Sequence, residues 1–446
     1  MRWYAIGLLL VATTALPPRV LHAQRLRDQI SELFIFGSGQ DPLFLGGSGN
    51  PNNPPPVQVH GAHFVPSAVG NNATIIAFLT TAVTGNVGSL PVSATSGGPL
   101  FRFEGGVPVR TTSSPGPVFG ERAQTLGRGH VFVGANVSDL HFTTLRGADL
   151  ENLRLTFTHA NVDFPGCDEA FSGDCTLVGV PQFENDVIEL RLRLDLDVTV
   201  TSFFLTYGLL DRVDVGVVLP VVSTSLDGQS VAQIVPFGPT VNHFFAGTVD
   251  APVLTASRMV SGSATGVGDV AVRVKVNVRN APQAGIALLG DARFPTGSDE
   301  DLLGSGEFAV RGLAIASARR GDLTPHVNVG YLYRSGDALT DAVLATVGFD
   351  QLLAPWATLA ADLVSEFQVG DGQLSTPRPH VIEAPFRRTV EPLTIPDRRD
   401  DIVNASLGFK FASEAGLGLV ANGAWPLNRG GLRPSVIWTV GLEYGF

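Results

Sequence analysis

The chain has 446 residues, of which 44% are hydrophobic and only 16% charged, with a formal net charge of −11. That balance excludes a disordered acidic chain, which needs more charge and fewer apolar residues. Gly 51 and Pro 30 argue against a helix-rich fold, and with 28 arginines but only Lys275 and Lys410 on the acidic side of neutrality, no basic surplus is left for nucleic acid.

Residues 1–23 read as a secretory signal peptide. Arg2 precedes the apolar run from Ala5 to Leu16, and Ala23 stands before a cut at Gln24. The run is too short to cross a bilayer as a helix, and no later window offers about 18 uninterrupted apolar residues. An exported chain of positive mean hydropathy without such a helix is either soluble outside the inner membrane or a membrane β-barrel. Cys167 and Cys175 are the only cysteines, close together in a polar stretch, and export predicts that they close a local disulfide.

Residues 24–128 depart from a plain barrel and are read as an amino-terminal periplasmic or lumen-plug segment. Asn50 to Pro56 is a linker, Asn72 to Ala82 a short helix with an Asn cap, and Phe101–Glu104 and Val107–Thr111 flank Gly105-Gly106 as a hairpin. His60 and His63 lie close together in a Pro/Gly-rich loop with no third ligand, so no metal site is read there.

From 129 to 446 the period is two. Ile188, Leu190, Leu192, Leu194, Leu196, Val198 and Val200 share one parity, while Glu189, Arg191, Arg193, Asp195, Asp197 and Thr199 take the other. Successive strand side chains point to opposite faces, so one face is hydrocarbon and the other charged. Val270, Val272, Val274, Val276 and Val278 repeat the pattern against Asp269, Arg273, Lys275 and Arg279, and Val436, Trp438, Val440, Leu442, Tyr444 and Phe446 close the chain with it.

Strands are predicted near 130–143, 187–207, 211–226, 267–279, 284–295, 306–319, 323–335, 340–352, 356–368, 401–413, 416–426 and 432–446. Short connections alternate with long ones, the pattern of an antiparallel up-and-down outer-membrane barrel with all short turns on the periplasmic rim. Many strands are long enough for a tilted crossing. Phe203, Phe204, Tyr207, Trp356, Phe409, Phe411, Tyr444 and Phe446 gather toward the short-turn side, and Tyr331, Tyr333, Phe367 and Trp425 toward the other. The prediction is an all-β transmembrane barrel of 12 strands. Two extra strands from the amino-terminal segment would give 14, as in the fatty-acid channel fold.

Parity turns Glu189, Arg191, Arg193, Asp195, Asp197, Asp214, Asp269, Arg273, Lys275, Arg279, Asp291, Arg293, Arg311 and Asp362 toward the lumen, as a polar pore wall or as mutually paired filling. There is no Gly-x-Ser-x-Gly elbow and no His-Glu-x-x-His, so neither an enzyme nor a cofactor is predicted.

A chain ending in an aromatic strand with Tyr444 and Phe446 resembles bacterial outer-membrane barrels, whose terminal strand is the signal read by the barrel-assembly machinery. Phe204-Leu205-Thr206-Tyr207-Gly208-Leu209-Leu210-Asp211-Arg212-Val213-Asp214-Val215-Gly216, followed by Leu219-Pro220, extends the likeness. With Glu121-Arg122-Ala123, Gly266-Val267-Gly268-Asp269 and Phe294-Pro295-Thr296-Gly297, the order of motifs is similar to an outer-membrane transporter family named for the meta-pathway of phenol degradation. That resemblance implies a Gram-negative outer membrane as the location, its lipid as partner, and passage of small hydrophobic or aromatic solutes. The competing expectation is a non-transporting barrel whose long loops recognise a surface partner.

Overall fold

The computed structural model describes residues 25–34, 36, 101–104, 107–110, 118–158, 187–236, 245–248, 250–281, 283–336, 340–371, 379–382, 388–391, 393–413 and 416–446. The signal peptide, the linker, the helix expected at 72–82, His60, His63, Cys167 and Cys175 lie outside the described residues.

Twelve antiparallel strands close into a ring. In chain order they are β1 (Val131–Leu145), β2 (Val187–Leu210), β3 (Val213–Val235), β4 (Val270–Ala281), β5 (Ala284–Phe294), β6 (Ala309–Ala318), β7 (Leu323–Arg334), β8 (Ala342–Ala354), β9 (Ala357–Gln368), β10 (Ile402–Ala412), β11 (Leu417–Pro426) and β12 (Leu432–Gly445). Each pairs with its sequence neighbour, and β12 closes on β1, where Val131 and Phe446 exchange backbone hydrogen bonds of 2.8 and 2.9 Å. Closure leaves the ring without an unpaired edge, which an open sheet in hydrocarbon would have. The hairpin of Phe101–Glu104 with Val107–Arg110 forms, but as a separate two-stranded sheet. The ring therefore has 12 strands, not 14.

Through the ring, β-branched and aromatic residues face outward. On β4, Val272, Val274, Val276 and Val278 are 38–55% exposed, while Ala271, Arg273, Lys275 and Asn277 between them are buried. The same outward face carries Val327 and Val329 on β7, Leu407 and Phe409 on β10, and Val440 and Leu442 on β12. So continuous an apolar surface is far larger than a water-soluble monomer exposes and matches a lipid-facing belt. Aromatics rim it. Trp356, Phe409, Tyr207, Tyr444 and Phe446 stand exposed at the short-turn end, and Tyr331, Tyr333, Phe367, Trp425 and Trp438 toward the other. Phe204 does not join the girdle: it points inward against Phe132, with ring centroids 5.6 Å apart. Among the described residues, no helix is long and apolar enough to cross a membrane.

β2 and β3 run far beyond the ring. At 24 and 23 residues they exceed the roughly 9–11 that a crossing needs. Their projecting halves stay paired out to Val187 and Val235, with Thr255–Val267 added beside β3 and Leu153–Thr158 beside β2. On this extension the faces exchange chemistry. Ile188, Leu190, Leu192, Leu194, Leu196 and Val198 are buried on one side with Val222, Leu226, Ala232 and Ile234. The helix α1 (Leu26–Glu32) lies over them and buries Leu26 and Ile30, continued by Leu33, Phe34 and Phe36. Ser230 Oγ donates to the Leu33 carbonyl at 2.6 Å, and Phe36 meets Phe245 at 5.7 Å.

Candidate functional site

The interior is crossed by the stretch Val118–Leu126, which enters at the short-turn rim beside Gly127 and Gly129. A Cβ on Gly208 would collide with the Gly127 carbonyl, so that position of β2 must be glycine for the chain to pass. An extended segment inside a barrel must find partners for its backbone away from water. Here inward side chains supply them. Asn328 takes the Glu121 N–H at 2.8 Å and returns its own amide to the Glu121 carbonyl at 2.9 Å, imitating a strand pair. Ser317 Oγ accepts from Ala123 N at 3.1 Å, Asn277 Nδ2 donates to the Ala123 carbonyl at 2.6 Å, and the Asp214 carboxylate accepts from Leu126 N at 3.0 Å. Gly120 has no space for a Cβ against His326 and Asp362.

Charges fasten the same stretch. Arg122 forks onto Asp350, with Nε to Oδ1 at 2.9 Å, and Glu121 receives Arg273 at 3.1 Å and Lys275 at 3.0 Å. All five side chains are buried. Breaking such a pair from one side strands a charge in low dielectric, which costs about 3–5 kcal/mol. Beside them Asp291 stands among three guanidiniums, Arg273 at 3.1 Å, Arg311 at 3.2 Å and Arg293 at 3.5 Å. Buried pairs also join His326 to Asp362 (2.7 Å) and Lys410 to Glu443 (3.1 Å).

A cavity of about 120 Å³ opens next to this cluster. Arg273, Arg293, Arg311 and Glu121 line it together with Leu313, Leu332, Leu344, Val364 and Ile402, Leu332 lying directly across from Arg311 in the strand register, and polar side chains such as Asn328, Thr346 and Asn404 complete the lining. Phe119 of the crossing stretch borders it.

The residues predicted to face the lumen divide into three groups. Asp214, Arg273, Lys275, Asp291, Arg293, Arg311 and Asp362 have their side chains inside the ring. Asp269 is buried as well, but it anchors the loop after β5, accepting from Gly297 N at 3.1 Å and from Ser305 N and Oγ at 2.7 and 2.6 Å. Glu189, Arg191, Arg193, Asp195 and Asp197 do not face the lumen. They lie on the outward, solvent side of the β2 extension, because parity runs unbroken along the strand while the polarity of its two faces reverses near Val200–Ser202. Arg279 is exposed at the β4–β5 turn, where a bulge between Asn277 and Arg279 ends the alternation. On the same outer surface His141, Asp195 and Asp197 come within 4.8 Å of one another, and His141 Nδ1 bonds Asp197 at 2.8 Å. Tyr444 and Phe446 pack at 5.5 Å on the outer face of the closing strand.

Sequence reading missed Asp350, His326, Asn328, Lys410 and Glu443 as interior groups, although parity within β7, β8, β10 and β12 marks each of them. Two of the family-like motifs touch, Thr296 Oγ1 donating to the Gly268 carbonyl at 2.6 Å, while Arg212 offers its carbonyl to Asn277 N at 2.8 Å and Glu121-Arg122 forms the crossing's ionic anchor.

Among solved structures, the chain is similar to an outer membrane channel from Pseudomonas putida F1 at 12% identity, covering 73% of this chain and 98% of that one with a TM-score of 0.40. It is similar to the CymD monoaromatic hydrocarbon channel at 8% identity, over 72% of this chain and 89% of that one with a TM-score of 0.33. A third similarity is to the P. putida toluene transporter TodX, at 8% identity over 71% of this chain and 90% of that one, TM-score 0.30. No curated protein matches the chain. Residues 182–372, from the start of β2 to just past β9, match the family described as "Putative MetA-pathway of phenol degradation", and this is the family that the motifs from Phe204 to Gly297 resemble.

Proposed function

We propose that the protein is an outer-membrane channel for small hydrophobic or aromatic solutes, held in lipid by the apolar belt. One observation carries the reading: the closed ring has an apolar outside, and its interior contains a cavity lined in part by apolar side chains. A barrel that only displayed loops would be served by an interior filled with paired charge. The apolar face of the β2–β3 extension, on the long-loop side, is buried under α1 and so is not itself a solute surface. We take residues 1–23 as the cleaved signal, 24–128 as an amino-terminal segment whose last part plugs the lumen, and 129–446 as the barrel. The terminal Tyr444 and Phe446 serve as the signal for the assembly machinery.

Swelling of liposomes that contain the purified protein tests this. Uncharged solutes of one-ring size should enter faster than through protein-free liposomes, and removing the Arg122–Asp350 anchor should raise the rate. No entry with either protein contradicts the channel and favours the barrel with partner-recognising loops.

A further inference from the structure

The interior cluster is not charge-balanced. Arg273, Lys275, Arg293 and Arg311 share three carboxylates, Asp291, Glu121 and the buried Asp214 directly across from Lys275, while Glu366, the other acid on the cavity wall, is held by Arg334 at 2.7 Å. The surplus is positive and stands where the cavity begins. Two of its donors are also unspent: Arg273 Nη1 and Arg311 Nε are buried without a hydrogen-bond partner, while Arg273 Nε lies against Asp291 at 3.1 Å, and the Arg273 side chain is only 5% exposed. Arg293 and Arg311 keep 15–16% of their side chains accessible, on the cavity side of Asp291.

We propose that this cavity binds a small monocarboxylate with an apolar body of about one ring, its carboxylate at Arg293 and Arg311 and its ring against Leu332, Leu344, Val364 and Ile402. The inference rests on the channel reading and narrows its solute class. Guanidinium forks match a carboxylate with two parallel hydrogen bonds, and they are the strongest neutralising partners a carboxylate finds in a dry site. A neutral hydrocarbon leaves the unspent donors as they are, a cation meets the surplus charge, and a bare inorganic anion leaves the leucine wall unused. Size sets the body. A cavity of roughly 150 Å³ takes a benzene ring, so about 120 Å³ allows a body no larger than one ring and excludes a long acyl chain.

The test is calorimetric titration of the detergent-solubilised full chain with sodium benzoate and, separately, with its neutral isostere benzamide. Benzoate should bind saturably and about tenfold tighter than benzamide, the worth of one charge-assisted contact. The double variant Arg293→Gln/Arg311→Gln should lose that preference, and Arg293→Lys, which keeps the charge but not the fork, should fall between. Equal affinity for the two ligands in the unaltered protein overturns the proposal whatever the variants do. Liposome swelling with uncharged solutes is read in parallel. Benzoate preference without swelling leaves the site standing and removes the channel, and swelling without benzoate preference does the reverse.

Discussion

Strand β4 and the projecting half of β2 carry the same alternation and turn it in opposite directions. On β4 the valines look outward and Arg273, Lys275 and Asn277 look in. On β2 from Ile188 to Val200 the leucines look inward, under α1, and the arginines and aspartates look out. Period two determines that a strand has two unlike faces. Which face is outside depends on the solvent beyond it, and β2 passes from lipid into water along its own length.

The largest expected effect lies inside the ring. Glu121→Ala takes from the buried Lys275 its salt-bridge partner and leaves Arg273 with Asp291 alone, and should cost about 3–5 kcal/mol in denaturant unfolding of the detergent-folded protein. Val274→Arg puts a charge on the lipid side of β4 and should cost about 2–4 kcal/mol, read in lipid vesicles as a shifted unfolding midpoint. Leu33→Ala opens a hole under the seat of α1, where Leu33 is fully buried, at about 2 kcal/mol. Its loss should show as faster amide exchange along 187–200 with the ring unaffected. The smallest effect belongs to Arg193→Ala. Arg193 meets Glu151 at 3.7 Å, both are exposed, and stability should stay within about 0.5 kcal/mol. If Arg193→Ala were as costly as Val274→Arg, the two regions would share one sidedness and the contrast would fail.

Much of the ring is legible in the sequence. Strand alternation and the alternation of short and long connections locate all twelve strands, because both follow directly from a sheet closing on itself between two aqueous rims. The sidedness of β2 was not legible from parity: nothing local in Glu189–Asp197 says whether lipid, water or a helix covers the leucines opposite. That information sits in α1, more than 150 positions upstream. The interior site was half legible. Arg273, Lys275, Asp291, Arg293 and Arg311 announce themselves by parity, but Glu121 and Arg122 precede the barrel, so their partnership with β4 and β8 is a property of the crossing stretch alone. Asp269 had the right burial for a different reason, a loop anchor, which parity does not distinguish from a wall residue.

Reagent access from water measures the sidedness directly. In a background with Cys167 and Cys175 replaced by serine, Arg193→Cys and Val274→Cys are exposed in turn to a membrane-impermeant maleimide on intact outer-membrane vesicles. The expected result is rapid labelling at 193 and none at 274 until detergent is added. Rapid labelling at 274 together with protection at 193 would contradict a barrel whose valines meet lipid while the β2 extension stands in water.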